Sequence, residues 1–316
     1  MKTTPRNAPR PALLAAPAAV LLLVLALAGC GGSSSASSSG SATINAVGAE
    51  NEYANVIEQI GGKYVKATAI ESDPNTDPHT FEASPSVAQA VSAASLLIEN
   101  GVGYDTYMEK IESASPSSSR KVINVQHLLG LPDSTPNPHL WYKPETMPAV
   151  AKALVRDLSA LQPEHAAYFQ ENAEKFEESL KSWYAAITKF KAAYPYTPVA
   201  TTEPVGDYML EAAGTKNMTP FTLQASIMNG TDPAPQNVTL QNALFSGHQV
   251  KVFVYNQQVT DSLTESFKEA AKRAGIPVVG VYETMPTPGY DYQSWMLAEV
   301  KALEKAVAQG VSTEKL

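Results

Sequence analysis

The sequence predicts an α/β protein: two parallel-sheet lobes joined by one long rigid helix. Three observations predict it. Short apolar runs alternate with helical stretches over about 43–160, and the same alternation resumes after Pro198 and continues to the C-terminus. Between them, from Pro163 to about 193, there is no Gly and no further Pro, and Ala167, Phe169, Ala173, Phe176, Leu180, Trp183, Ile187 and Phe190 recur at helical spacing. Alternation of strands with helices is the mark of a parallel sheet. About 30 residues of helix would span roughly 45 Å, longer than an ordinary globular helix and suited to a strut between lobes. One long helix packed on a single domain is the alternative that the periodicity leaves open.

At the N-terminus, Lys2, Arg6 and Arg10 precede an apolar run over 11–28, and the small residues Ala28 and Gly29 precede Cys30. A charged start, a short apolar core and a small-residue cleavage site describe a secretory leader, here 1–29. The run is short for a permanent span, which needs about 20 residues. Cys30 is the only cysteine, so no intramolecular disulfide can form. The linker 30–42, Cys30 followed by GGSSSASSSGSA, is flexible. No later stretch is apolar enough to cross a bilayer. The body from 43 to 316 is too long for one ordinary domain and comfortable for two lobes. The formal net charge is −8, and removing Lys2, Arg6 and Arg10 with the leader takes it to −11. An acidic chain without a basic stripe argues against nucleic acid and is compatible with a cationic ligand.

In the first lobe, 43–160, strands are expected at 44–47, 65–70, 96–99 and 122–125. Helices are expected at 50–60, 86–94, 104–113 and 145–160, the last amphipathic, with a polar loop at 71–80. Pro163 then restarts helix at a favourable first-turn position, opening the linking segment 161–194. In the second lobe, 195–316, strands are expected at 198–202, 250–255 and 278–282, and helices at 206–213, 261–274 and 292–309. No repeat of fixed period is visible, and Pro-containing loops at 229–236 and 284–289 separate the pieces.

Open α/β sheets bind ligands at the carboxyl ends of their strands, and four candidate residues fall there. His79, in Asp77-Pro78-His79, follows the second strand, and Pro78 restricts the backbone before it. His139, in Asn137-Pro138-His139, follows the fourth. The chain has five histidines, and two share this Pro-His setting. Imidazole is a common ligand for Zn²⁺, Mn²⁺ and related ions. Trp141 reads as a packing anchor. Glu203 ends the first strand after the strut and reads equally as a ligand or as a carboxylate at the following helix start, as does Asp207. Glu283 closes the last strand, and Asp291 reads as an N-cap. His127, His165 and His248 read as structural or surface residues.

The segments Asp77 to Pro85 (DPHTFEASP) and Asn137 to Trp141 (NPHLW) resemble the two histidine segments of the zinc/manganese-type, TroA-like solute-binding proteins of bacterial ABC transporters. Glu203 and Glu283 match the family's two later ligands by position. The resemblance covers the whole mature chain, strut included. It implies one divalent ion, Zn²⁺ or Mn²⁺, held by His79, His139, Glu203 and Glu283 in a cleft between the lobes. It further implies a monomer that delivers the ion to an ABC permease, and the strut would limit hinge motion, so closure on the ion should be small. Leu27-Ala28-Gly29-Cys30 resembles the lipobox, implying lipidation of Cys30 and an extracytoplasmic protein tethered to the cell membrane. Two departures stand out. Glu283 replaces the usual Asp, so Asp207 or Asp291 could substitute as ligand. The His-rich acidic loop of zinc members is missing, which leaves manganese open. Two neutral imidazoles and two carboxylates carry a charge of about −2, which a divalent cation neutralises. Other readings are an organic-ligand (siderophore) binder or adhesin on the same architecture, and a secreted metallohydrolase. The last lacks an HExxH motif and a nucleophile elbow.

Overall fold

The computed structural model describes residues 42–286 and 288–316. The leader, Cys30 and almost all of the Gly/Ser linker lie outside the described residues. Two four-stranded sheets form the frame. The first uses β1 (Ile44–Glu50), β2 (Val65–Glu71), β3 (Leu96–Glu99) and β4 (Lys121–Asn124) in the order β2-β1-β3-β4. Every pairing in it is parallel. The second uses β5 (Pro198–Thr201), β6 (Lys216–Asn217), β7 (Val252–Asn256) and β8 (Val278–Val281) in the order β6-β5-β7-β8, again all parallel. The central strands β3 and β7 are buried at every residue, as parallel strands covered by helices are, and so is the edge strand β8.

The helices of the first sheet are α1 (Asn51–Gly61), α2 (Pro85–Ala93), α3 (Thr106–Ala114), the single turn α4 (Val125–Leu128) and α5 (Thr146–Leu161). Local chemistry sets their ends. Ser84 caps α2, with Pro85 at the first helical position, and the Asn124 side chain accepts from His127 N to start α4.

The joining segment is a bent helix. After a 3₁₀ turn at Pro163–His165 it runs as α6 (Ala166–Ser179) and α7 (Lys181–Ala193). The Ser179 hydroxyl donates to the Phe176 carbonyl at 2.6 Å, an oxygen that Leu180 N also reaches at 3.3 Å. Such back-bonding by serine bends helices. The bend lets α6 pack on α1 and α5 and α7 pack on the C-terminal helix α12 (Tyr292–Gln309).

Phe169, Phe176, Trp183 and Phe190 on this helix belong to one apolar core. That core takes in Tyr53 and Trp141 from the first half, and Val254, Val281 and Trp295 from the second. The two sheets are therefore tied by shared packing as well as by the chain.

The second sheet carries α8 (Asp207–Ala212), α9 (Phe221–Met228), α10 (Pro235–Ser246), α11 (Ser262–Arg273) and α12. Capping boxes at Asp261 and Asp291 start the last two. β6, α9 and α10 had no counterpart in the sequence reading. The buried faces of α9 and α10 include Gln224 and Gln241, which hydrogen-bond Thr201 and Thr219. A glutamine on the inner face breaks the apolar stripe by which an amphipathic helix is read. Among the described residues no helix is long and apolar enough to cross a membrane.

Candidate metal centre

The two sheets bring their carboxyl ends together, and the polar residues there come from both. His79 sits in a 3₁₀ turn, Pro78–Thr80, beyond β2. The Asp77 side chain caps that turn, accepting from His79 N at 2.8 Å. His139 lies beyond β4 and is fully buried. Glu283 lies two residues beyond β8 and is also fully buried. Both imidazoles point Nε2 at one atom: Glu283 Oε2 is 3.1 Å from His79 and 3.0 Å from His139. The rings are 6.0 Å apart at 90°. Among the described residues these three form the one cluster whose ligand atoms all lie within 4.8 Å of one another.

The second nitrogen of His139 fixes its tautomer. Nδ1 lies 2.8 Å from Asn137 Oδ1, an acceptor, so Nδ1 carries the hydrogen and Nε2 offers a lone pair. Asn137 Nδ2 donates to the Pro204 carbonyl at 2.7 Å, next to Glu203. One side chain thus orients a histidine of the first half and grips the second.

Charge follows from these contacts. Burial pushes Glu283 up, but the two histidines, the charge of His79 foremost, outweigh it, so the carboxyl sits below its ordinary range and is ionised. Burial pulls His139 down further than Glu283 raises it, which keeps it neutral. Burial also pulls His79 down, but the charges of Glu283 and Asp77 and the Glu283 hydrogen bond leave it above its ordinary value. An anionic oxygen facing an imidazole lone pair needs a cation between them, and a proton or a metal ion can supply it.

Glu203 is buried beyond β5 and does not join the cluster of three. Asn256 Nδ2, at the end of β7, donates to Glu203 Oε1 at 3.1 Å and to Glu283 Oε1 at 2.7 Å. Glu203 Oε2 is buried with no partner. Burial, and then the charge of Glu283, hold this carboxyl well above its ordinary range.

The two possible substitutes are occupied elsewhere. Asp207 accepts from Asn217 and Gln224, and Asp291 caps α12. His127, His165 and His248 stand outside the centre; His165 stacks on Tyr64 at 3.6 Å.

Sequence reasoning missed Tyr104 and Asn256. The Tyr104 hydroxyl donates to Glu283 Oε2 at 2.9 Å. Asn256 ends β7, and Tyr104 lies in the loop between β3 and α3; a place at or beyond a strand's carboxyl end was the one available signal. Tyr104→Phe removes a donor that orients the carboxylate. It should weaken divalent-metal binding by about tenfold, since partners of ligands carry effects of that order. Competitive titration checks this; equal affinities would show that the phenol does not orient Glu283.

His79 is the most open of the three, with 21% of its side chain exposed. Beside it, a cavity of about 220 Å³ is lined by Glu71, Asp73, Asp77, Pro78, Phe81 and Thr284, among others.

Residues 47–306 match the family described as "Zinc-uptake complex component A periplasmic". The chain is similar to the manganese-binding lipoprotein MntA of Bacillus subtilis, 28% identical over 137 residues, which cover 42% of this chain and 44% of that protein. It is 25% identical over 227 residues to a putative metal-binding protein of Thermotoga maritima, covering 69% of this chain and 78% of that one. The match to MntA thus spans under half of that relative. Among solved structures, the periplasmic zinc-binding protein TroA of Treponema pallidum superposes with a TM-score of 0.71 at 17% identity, covering 85% of this chain and 99% of that one. The likeness is one of fold, and it carries the two-lobed arrangement.

Proposed function

This chain belongs to the family of the periplasmic component A of zinc-uptake complexes, and from that membership we propose that it binds one divalent transition-metal ion, Zn²⁺ or Mn²⁺, outside the cytoplasm and hands it to an ABC permease. The observation that carries the reading is the convergence of His79 Nε2, His139 Nε2 and Glu283 Oε2 on one point. Nitrogen and oxygen donors without thiolate suit Zn²⁺ and Mn²⁺. Glu203 is the fourth ligand: its unpartnered oxygen turns to the ion. The ion then replaces the proton that its high pKa implies. The function is carriage rather than catalysis, with protein groups filling the coordination shell.

The ion enters past His79, the exposed ligand, along the cavity bordered by Glu71, Asp73 and Asp77. Lobes 43–160 and 195–316 are joined through 161–194. Cys30, after cleavage of 1–29, carries the lipid that tethers the carrier to the membrane, with 31–42 as its leash. Each chain acts alone.

Metal analysis and competitive titration of residues 43–316 test this. One ion per chain is expected, with Glu203→Ala binding about tenfold more weakly. A wild-type protein that holds no ion would overturn the reading.

A further inference from the structure

We propose that Gln258 is a positioning residue for this centre: its single amide ties the loop that carries His79 to the strand end that carries Glu283, and so sets the ligand spacing and the rate at which the ion leaves. The proposal rests on the metal-carrier reading above.

Gln258 lies two residues beyond β7 and is buried. Its Oε1 accepts from Glu283 N at 2.7 Å and from Thr284 N at 2.8 Å. Its Nε2 donates to the Thr76 carbonyl at 2.8 Å and to Thr284 Oγ1 at 2.9 Å, and lies 3.5 Å from the Asp73 carbonyl. An amide offers two lone pairs and two hydrogens, and all four are used here. Thr76 and Asp73 belong to the loop that ends in His79, while Glu283 and Thr284 belong to the second sheet. The grip is direct at Glu283, whose own N–H is held, and three residues from His79.

Gln258 is itself held in place. Its N–H donates to Asn256 Oδ1 at 3.0 Å, and the same Asn256 feeds Glu203 and Glu283 through Nδ2. A second amide completes the grip from the other side. Asn51, at the start of α1, donates to the Met285 carbonyl and accepts from Met285 N, each at 2.9 Å. The segment from Glu283 to Met285 is therefore held by one amide from each half of the molecule. Only Gln258 also reaches the His79 loop. Few other side chains could do this: a carboxylate keeps the two acceptor contacts but presents oxygen to the Thr76 and Asp73 carbonyls, and an apolar chain keeps neither.

The test uses Gln258→Met and Gln258→Glu in residues 43–316 loaded with Co²⁺, a spectroscopic probe, and with Zn²⁺. Three quantities are read: ions bound per chain, the visible Co²⁺ bands, and the rate of Zn²⁺ loss to a chelator. Wild type and Gln258→Met should both bind one ion. Gln258→Met should release Zn²⁺ about tenfold faster or more and show shifted Co²⁺ bands, which loss of stability alone would not produce. Gln258→Glu adds negative charge near the ion, which by itself would slow release. Faster release from this variant therefore isolates positioning from charge, and it keeps the test open if the Met variant fails to fold. Wild-type rates and bands in both variants, with one ion still bound, would overturn the proposal. A wild-type protein that binds no ion would overturn the carrier reading and this proposal with it, a distinct outcome.

Discussion

Glu283→Ala should weaken Zn²⁺ and Mn²⁺ binding by about 10³-fold, the largest loss at any single position. Glu283 Oε2 is the atom both imidazoles face. Tyr104 holds that oxygen and Asn256 the other. Removing the carboxylate leaves two imidazoles that turn toward no anion, with Glu203 outside the cluster. Deleting one member of a buried charged set costs about 3–5 kcal/mol, and each ~1.4 kcal/mol is a factor of ten. Competitive titration with a chromophoric chelator measures the loss. A change below about tenfold would mean that the ion is held without Glu283.

The second large effect concerns pH and sits away from the centre. Glu299 is fully buried on α12, where Oε1 accepts from Tyr142 Oη at 2.8 Å and Trp295 Nε1 at 2.7 Å. Burial pushes its carboxyl up to about 8, against the pull of those two donors. The folded pKa is thus raised above the unfolded one, near 4.5. Its contribution is fully present below about pH 4.5 and is lost as pH rises through about 8.

Glu299→Gln keeps an oxygen for both donors and cannot ionise. The metal-free variant should therefore melt close to wild type near pH 5 and about 10 °C above it near pH 9. That corresponds to a difference on the order of 4 kcal/mol, from a shift of about 3.5 pH units. Melting curves recorded across this range check it, and a constant offset would show that Glu299 does not titrate with folding. Glu71, pushed up chiefly by burial to about 9, acts in the same direction in the first half.

Part of the fold and of the candidate site is legible in the sequence, for identifiable reasons. Pro-His in two loops, and carboxylates at strand ends, marked His79, His139 and Glu283, because backbone punctuation and strand ends are local features. Tyr104 and Asn256 were not legible. Their roles come from distances between residues far apart in the chain, 179 residues for Tyr104 and Glu283, and neither residue type signals a metal by itself. The periodicity of 163–193 showed helix throughout, and the structure bends it at Leu180, where one serine hydroxyl competes for a backbone carbonyl. Helices α9 and α10 were hidden because Gln224 and Gln241 face inward. In each case the missing information lay in what a side chain meets rather than in its hydrophobicity.

The bent joining helix has a consequence for how this protein can change. A helix advances about 1.5 Å and turns about 100° per residue, and α6 is seated on one half while α7 is seated on the other. One residue inserted between 166 and 193 would demand that rotation and shift across a centre whose ligand atoms meet within 4.8 Å. The solvent-facing side chains of this segment, Glu171, Lys175 and Lys181 among them, can be exchanged freely. Its residue count cannot. Length here is a keyed quantity, like the teeth between two gears, and it sets the relative phase of the two halves.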